Sequence, residues 1–380
     1  MAAKWTQYSG KWNIPTVTQA EGAGTWPKAP IVRELWTWGH NAFGQLGQGN
    51  TTTTSSPVQV GTLITWDKVT GNNSTTATKK DGTLWAWGKN NYGQLAQGDT
   101  VNRSSPVQVG ALTTWDKISS GNNHTITTKT DGTLWTWGYN QSGQLGLGNA
   151  TYYSSPVQVG ALTTWLNVAG GYNYTLAVKT DGTLWSWGKN SFGALGLGDT
   201  VARSSPVQVG ALTTWLNIAG GFYSPVATKT DGTIWTWGYN NYGQLGQGNT
   251  TSYSSPVQVG SLTTWDKMDG GNYYTIATKT DGTLWSWGRN HQGQLGQGNL
   301  TDYSSPVQVG ALTTWLNVAT GQYATVATKT DGALWAWGNN SVGQLGLGDT
   351  VNRSSPVQVG ARTDWSNIAC GTNQGIATTG

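Results

Sequence analysis

Side chains that commonly carry out catalysis are scarce in this 380-residue sequence. The three His residues stand at unmatched positions of the chain: His40, His124 and His291. The one Cys, Cys370, has no base beside it in sequence that would activate its thiol, and only two Glu occur, Glu21 and Glu34. No nucleophile and base can be paired from these residues. We therefore predict that the protein is not an enzyme, that it has no catalytic residue and that it needs no cofactor.

The Asp residues follow a pattern that suits turns. Six of them precede a Gly at regular spacing: Asp81, Asp131, Asp181, Asp231, Asp281 and Asp331. Three others could ligate a metal through their carboxylates, Asp99, Asp199 and Asp349. Asn fills the same position elsewhere, at Asn50, Asn149, Asn249 and Asn299, and this exchange indicates a turn residue. We predict no metal site. The string Gly-Gln-Leu-Gly-x-Gly lacks the Lys-Ser/Thr of a phosphate loop and is also interpreted as turns.

The composition of the whole chain limits the possible functions. The net charge is +4, with 21 Lys and Arg against 17 Asp and Glu, which is too mild to indicate nucleic-acid binding. No apolar run reaches the roughly 18 residues of a membrane-spanning helix, so we predict no membrane insertion. The 55 Gly and 24 Trp indicate an all-β chain.

Three markers recur with a period of 50 residues, or 49 in the first unit. The motif Leu-Trp-x-Trp, once Ile-Trp-x-Trp, places its first Trp at 36, 85, 135, 185, 235, 285 and 335. Ser-Ser-Pro-Val-Gln-Val-Gly follows it, with Pro at 57, 106, 156, 206, 256, 306 and 356. A third Trp stands at 66, 115, 165, 215, 265, 315 and 365. We predict that the periodic Trp pack between units. A ring of Trp that binds sugars or absorbs light is the alternative.

Each unit is predicted to form four short strands. In the third unit these are Leu166–Gly170, Thr175–Thr180, Leu184–Trp187 and Val207–Gly210. Asp-Gly between β-prone runs is typical of a hairpin and joins the second strand to the third. Four-stranded units repeated at this length predict a β-propeller.

The two ends of the chain predict how the ring closes. The chain enters at a third strand, Leu35–Trp38, and stops after a second strand, Gly375–Thr379. The last blade would take two strands from each end, which removes the open sheet edges. We predict a seven-bladed, all-β propeller of four-stranded blades over residues 34–380 and a separate N-terminal arm over residues 1–33.

These motifs resemble the repeats of the regulator of chromosome condensation family, in a bacterial or phage-like version. Asp-Gly-Thr-Leu-Trp-x-Trp-Gly stands at 131–138, Asn-x-x-Gly-Gln-Leu-Gly at 140–146 and Ser-Ser-Pro-Val-Gln-Val at 154–159. The resemblance implies a seven-bladed propeller over residues 34–380. It implies much less about function, because one fold hosts many activities.

Three functions known in that family do not fit this sequence. Nucleotide exchange on a nuclear GTPase depends on an extra β-wedge, for which the near-constant spacing leaves no room. Chromatin binding uses basic tails, whereas the first 33 residues carry only Lys4, Lys11, Lys28 and Arg33. The plant ultraviolet receptors use a Gly-Trp-Arg-His-Thr motif, which falls here on residues 171–175 without its Trp or Arg.

The loops between strands one and two and between strands three and four share one end of the propeller, where the units differ most. The ligand- or partner-binding residues predicted there are Tyr139, Tyr153, Tyr172, Tyr174, Tyr223, Tyr239, Tyr253, Tyr273, Tyr274, Tyr303, Arg103, Arg203, Arg289 and Arg353. The same variable set also contains Tyr152, Phe222, Tyr323, Lys89 and Lys189. Tyr and Arg are enriched at binding hot spots, so we interpret this end as a binding platform. Drift in solvent loops is the alternative.

Residues 1–33 match no unit but contain Trp5, Trp12 and Trp26. We predict an arm that these Trp anchor on a partner, with a cap folded over its own propeller as the alternative. The leading hypothesis is a virion protein, a phage tail or capsid appendage. Its arm would bind other virion proteins, and its variable loops would bind a host surface glycan or protein. A cytoplasmic adaptor or GTPase-regulating propeller, a soluble lectin and an engineered consensus propeller stay open as alternatives.

Overall fold

The computed structural model describes residues 33–62 and 65–380. The chain divides into two units, Met1–Val32 and Arg33–Gly380, and the following concerns the second. It forms seven sheets of four strands each, with antiparallel neighbours, which confirms the predicted seven-bladed propeller. We number the blades from the one that begins at Trp66; the blade that begins at Trp365 is blade 7.

The strand bounds repeat closely from blade to blade. The first strands are Trp66–Gly71, Trp115–Ser120, Trp165–Gly170, Trp215–Ala219, Trp265–Gly270, Trp315–Thr320 and Trp365–Cys370. The second strands are Ser74–Lys79, His124–Lys129, Tyr174–Lys179, Val226–Lys229, Tyr274–Lys279, Ala324–Lys329 and Gln374–Thr379. The third strands, in the same blade order, are Leu84–Gly88, Leu134–Gly138, Leu184–Gly188, Ile234–Gly238, Leu284–Gly288, Leu334–Gly338 and Leu35–Gly39. The fourth strands are Arg103–Gln108, Tyr153–Gln158, Arg203–Gln208, Tyr253–Gln258, Tyr303–Gln308, Arg353–Gln358 and Thr54–Gln59.

The fourth strand differs from the sequence prediction. In blade 3 it runs over Arg203–Gln208 and not over Val207–Gly210, and it includes Pro206. It lies at the edge of its sheet, where a residue without an N–H is tolerated. Its register with the third strand shifts between Ser186 and Gly188, so the Ser-Ser-Pro segment joins the sheet earlier than the β-prone residues alone suggest.

The two chain ends meet in blade 7, as predicted. Its strand order places the third strand, Leu35–Gly39, beside the second, Gln374–Thr379. These two strands pair along their whole length, from Leu35 opposite Thr378 to Gly39 opposite Gln374. The terminal blade therefore has no unpaired central edge, and the ring is closed by backbone hydrogen bonds between the ends of the chain.

The periodic Trp pack between neighbouring blades, which confirms the core interpretation. The second Trp of each third strand is fully buried, as Trp187 is, and its indole Nε1 donates to a backbone oxygen of the preceding blade. For Trp187 the acceptor is Gln144 O at 2.9 Å, and for Trp38 it is Gln344 O at 3.0 Å. The first-strand Trp packs edge-on against the two third-strand Trp of its own blade, with ring centres about 6 Å apart. The indole-to-backbone hydrogen bond therefore recurs at every blade boundary, and the contacts among the three Trp recur within each blade.

Helical structure in the described part of the chain is limited to one short turn, Ser191–Gly193. Within residues 33–62 and 65–380, no helix has the length and apolar character needed to cross a membrane.

Candidate functional site

The candidate site lies where the first–second and third–fourth loops meet, an end that we call the loop face. The opposite end, with the Asp-Gly turns, is the hairpin face. The third–fourth loops share one framework. In blade 3, Asn190 Nδ2 donates to Asp199 O at 3.0 Å and Val201 O at 3.1 Å, and Asn190 Oδ1 accepts from Leu195 N at 2.8 Å. The fixed framework holds the variable side chains of each loop in defined places.

Six residues predicted to bind a partner have partners within their own loops. Three are Arg at the start of a fourth strand, and each places its guanidinium 2.5–2.6 Å from the carboxylate four residues earlier: Arg103 with Asp99, Arg203 with Asp199, Arg353 with Asp349. In three of the four blades where that Asp is Asn, the Arg is Tyr; in blade 7, Asn50 is followed by Thr54. In those three blades the amide donates to the phenol oxygen at 3.0–3.3 Å: Asn149 to Tyr153, Asn249 to Tyr253, Asn299 to Tyr303. These pairs stabilise the loop, and a role in binding stays a prediction.

Seven aromatic side chains of blades 3 to 5 form a connected cluster on the loop face. We call the seven the aromatic patch: Tyr172, Phe192, Phe222, Tyr223, Tyr239, Tyr242 and Tyr273. The ring centres of Tyr172 and Phe222 are 4.1 Å apart, and those of Phe222 and Tyr273 are 5.2 Å apart. Tyr239 lies 5.3 Å from Tyr273 and 4.6 Å from Phe192. Five of the seven belong to the variable set predicted from sequence, and the structure brings them together on one surface.

The patch is apolar in its body and polar at its edge. Phe192 is 48% exposed, and the other six rings are half-buried. Burial raises the pKa of Tyr273 to about 12, so its phenol keeps its proton at neutral pH. Phe192 and Tyr273 have φ of 62° and 68°, in the left-handed region that costs non-Gly residues energy. Such strain is concentrated at functional sites in proteins, which favours a role for these two rings.

Two cations flank the aromatic patch. The Arg289 guanidinium carbon lies 4.8 Å from the ring centre of Tyr242 and 5.5 Å from that of Tyr323. The Lys189 Nζ lies 5.4 Å from the ring centre of Tyr223 and 3.3 Å from its hydroxyl. Cations over aromatic faces are attracted by the ring quadrupole, so both side chains are held at the edge of the patch.

A smaller aromatic cluster occupies the neighbouring blades. Tyr92, Tyr139 and Tyr152 have ring centres 4.8–5.7 Å apart. The Tyr139 hydroxyl donates to Gln141 Oε1, and burial raises the pKa of Tyr139 to about 12. The predicted residue Tyr139 therefore lies on the loop face but outside the aromatic patch.

Tyr174 and Tyr274 require a correction, because both are fully buried and cannot meet a partner at the loop face. Each begins a second strand and points toward the next blade. The Tyr174 hydroxyl donates to Gly221 O at 2.9 Å, and that of Tyr274 donates to Ala324 O at 2.7 Å. Desolvation raises the pKa of both phenols well above its usual value. These two Tyr join neighbouring blades.

The central channel of the propeller is lined by the first strands and encloses a cavity of about 360 Å³. Asp269 is the carboxylate in its wall; its oxygens accept hydrogen bonds from Gly270 N at 2.9 Å and Thr320 N at 2.7 Å, and burial raises its pKa to about 6. Burial also raises the pKa of Cys370 to about 12, which keeps its thiol protonated and unreactive. Across the described residues, no three or more His, Cys, Asp or Glu side chains are grouped as a metal site.

Some patch residues were not among the sequence-predicted positions. Phe192 and Tyr242 precede the Gly of Asn-x-x-Gly, a position that also holds Phe43 and Tyr92. Four aromatic residues at one variable position were the signal that could have found them. The predicted anchors Trp5, Trp12 and Trp26 lie outside the described residues.

Comparison with known proteins identifies the repeat. A family model described as "Regulator of chromosome condensation (RCC1) repeat" matches residues 34–76, 81–127, 131–178, 181–225, 231–278, 281–328 and 331–377. A second model with the same description matches 115–144, 165–194, 265–294 and 315–344. A search of curated protein sequences gives no significant match.

Three solved structures share the fold at low sequence identity. Prp20p from Saccharomyces cerevisiae is 18% identical, with 92% of each chain covered and a TM-score of 0.82. Human WBSCR16 is 20% identical, with 91% of this chain and 98% of that one covered and a TM-score of 0.81. Yeast RCC1 (Prp20) bound to Kap60 is 18% identical, with 100% and 95% covered and a TM-score of 0.81. With family models matching most of its length, this chain belongs to the regulator of chromosome condensation (RCC1) repeat family.

Proposed function

We propose that this protein is a non-enzymatic recognition propeller that binds a protein partner through the aromatic patch. The observation that carries the proposal is the concentration of connected rings in blades 3 to 5 of a ring whose blades otherwise repeat closely. Packing alone would place similar side chains in every blade. Partly exposed aromatic residues flanked by Arg are typical of the energetic centre of protein interfaces.

The solved neighbours support a protein partner rather than a glycan. Prp20p is described with its binding properties to Gsp1p and histones, and yeast RCC1 is described bound to Kap60. We therefore propose a cellular adaptor, the alternative considered from the sequence, ahead of the virion protein, which none of these comparisons supports. We do not extend the proposal to nucleotide exchange, because the described residues contain no strand beyond the seven blades that could serve as a wedge.

Site-specific photocross-linking in extracts of the native source tests this proposal. A benzophenone amino acid replaces Phe192 in the patch, and in a matched control it replaces Leu212, which is 49% exposed on the hairpin face. We expect one protein to cross-link from position 192 and not from position 212. Added wild-type protein should compete for it, whereas Phe192→Ser/Tyr223→Ser protein should not.

The same experiment contains the results that would reject the proposal. Equal cross-linking from both positions, or equal competition by both added proteins, would show that the patch does not determine binding. If free sugars added before irradiation prevent cross-linking from position 192, the lectin alternative would be favoured.

A further inference from the structure

The loop face carries three cations without a carboxylate partner among the described residues: Lys89, Lys189 and Arg289. Each follows the Gly that ends a third strand, in blades 1, 3 and 5. Tyr139 and Tyr239 fill this position in blades 2 and 4, so cations and phenols alternate around five consecutive blades. The polar side-chain contacts of the three cations are with Asn123, Tyr223 and His291, none of which is a carboxylate.

The other cations described on the loop face differ from these three, because each of them forms an ion pair with a carboxylate. The Arg residues of the third–fourth loops lie 2.5–2.6 Å from a carboxylate. Asp302 lies 3.5 Å from His291 and accepts a hydrogen bond from Asn290 N. The carboxylates on the loop face are therefore already engaged, while the three cations lie against rings. Lys89 Nζ is 5.4 Å from the Phe43 ring centre, and Arg289 is 4.8 Å from that of Tyr242.

We propose that the partner segment that docks on the loop face is an acidic polypeptide with apolar side chains between its carboxylates. This inference rests on the proposed function and gives its partner a chemical class. Carboxylates would pair with the three cations at the margin of the rings, where a bound segment excludes water and strengthens the attraction. The apolar side chains would pack on the aromatic patch.

The arrangement of the rings favours a polypeptide over a single-stranded nucleic acid. Bases stack on open aromatic faces along a strongly basic groove. Here the rings pack against one another at angles of 43–74°, as between Tyr172 and Phe222 or Phe222 and Tyr223, so neighbouring side chains cover their faces. The net charge of +4 is also small for a backbone-tracking groove.

Fluorescence anisotropy with defined probes tests the inference. The probes are a labelled peptide that alternates Glu with Leu and Phe, the same peptide with Gln for Glu, and an oligo-dT strand. We expect the Glu peptide to bind the wild-type propeller roughly tenfold more tightly than the Gln peptide, and less tightly as salt rises. The variant Lys89→Gln/Lys189→Gln/Arg289→Gln should bind the Glu peptide roughly tenfold more weakly.

The matched control is Lys68→Gln/Lys117→Gln/Lys267→Gln, which removes the same charge from the first strands, toward the hairpin face. We expect it to bind within about twofold of wild type. No binding of the Glu peptide, equal binding of the Gln peptide or an equal loss in the control would overturn the inference, and tighter binding of oligo-dT would replace it with a nucleic acid. The proposed function would still stand if cross-linking from position 192 identified a partner that contacts the patch through a non-acidic segment.

Discussion

Trp335 lacks a hydrogen bond that its equivalents in other blades make. In blades 1 to 5 the indole Nε1 donates to a Thr hydroxyl at 2.9 Å, as Trp285 does to Thr283. Blade 6 has Ala333 at this position, and the Trp335 Nε1 is buried without a partner. The exchange of one Thr for Ala in a single repeat therefore leaves a buried indole N–H without a hydrogen bond, which lowers the stability of the folded protein.

The first prediction follows from this difference. Ala333→Thr supplies the missing acceptor, so we expect the free energy of unfolding to rise by about 1 kcal/mol in urea denaturation. Thr283→Ala, the reverse change in blade 5, should lower it by a similar amount. Unchanged stability in both variants would mean that this hydrogen bond contributes nothing.

His124 gives a prediction about pH. Burial lowers its pKa to about 3 from the ordinary 6.5, and its Nε2 lies 3.1 Å from Thr175 Oγ1. The unfolded chain therefore binds a proton near pH 6.5, whereas the folded protein does not until near pH 3. The stability that depends on neutral His124 is complete above pH 6.5 and is lost as the pH falls toward 3.

Replacement by Ser, which stands at the equivalent positions 74 and 224, removes this titration. We expect the free energy of unfolding of His124→Ser, relative to wild type, to increase steadily as the pH is lowered from about 7 to about 4. The measurement is denaturant unfolding of both proteins across that range. A difference that stays constant with pH would contradict the assignment of a neutral buried His.

At the scale of the element, the third–fourth loop combines a fixed framework with variable tips. Its Gly-Gln-Leu-Gly segment passes close to the Trp of the next blade. A Cβ added to Gly146, where φ is 74°, would lie 2.7 Å from Trp187 Nε1. Blade 1 nevertheless has Ala at this position: Ala96 adopts a φ of 59°. At this position, blade 1 therefore carries backbone strain that the Gly of the other blades avoids.

These two positions make a matched pair of loop variants. We expect Ala96→Gly to stabilise the protein by roughly 1 kcal/mol, because it relieves a left-handed conformation. Gly146→Ala should destabilise it by more than about 1 kcal/mol, since it adds the strain and crowds Trp187. Thermal and urea unfolding measure both. Destabilisation by Ala96→Gly, or stabilisation by Gly146→Ala, would be incompatible with the loop geometry.

The elements were predictable from sequence to a greater extent than the site. The hairpins follow from Asp-Gly, and the closing blade follows from the strands found at each end of the chain. The patch did not follow from counting Tyr, because Tyr172 and Tyr174 are two residues apart and only Tyr172 reaches the surface. The position of Tyr174 is Tyr in one other blade and Ser, His, Ala or Gln in the rest. This mixture of polar and apolar residues gives no sign in the sequence that the position is buried. The loop pairs leave a clearer trace, since Asp occurs with Arg in three blades and Asn with Tyr in three others, with Asn50 and Thr54 of blade 7 as the exception.

At the scale of the whole molecule, stability depends on closure. Pairing of Leu35–Gly39 with Gln374–Thr379 and the hydrogen bond from Trp38 to Gln344 O join the ends of the ring. Each blade otherwise contacts only its two neighbours, so an opened ring loses one full interface.

We expect deletion of residues 374–379 to abolish the cooperative unfolding transition followed by Trp fluorescence. Deletion of residues 1–32 is the control, and we expect it to leave the transition in place. A cooperative transition in the first deletion would refute closure as the source of stability.

The aromatic patch is the surface through which we propose that this propeller binds its protein partner. The most direct measurement is the affinity of the partner cross-linked from position 192 for three purified propellers. These are the wild type, the patch variant Phe192→Ser/Tyr223→Ser/Tyr273→Ser and the hairpin-face variant Leu162→Ser/Leu212→Ser/Leu262→Ser, all at exposed or half-buried positions. We predict that the patch variant binds at least about thirtyfold more weakly, as expected for loss of a hot spot, and that the hairpin-face variant binds like wild type. Equal affinity of the patch variant and the wild type would contradict the claim.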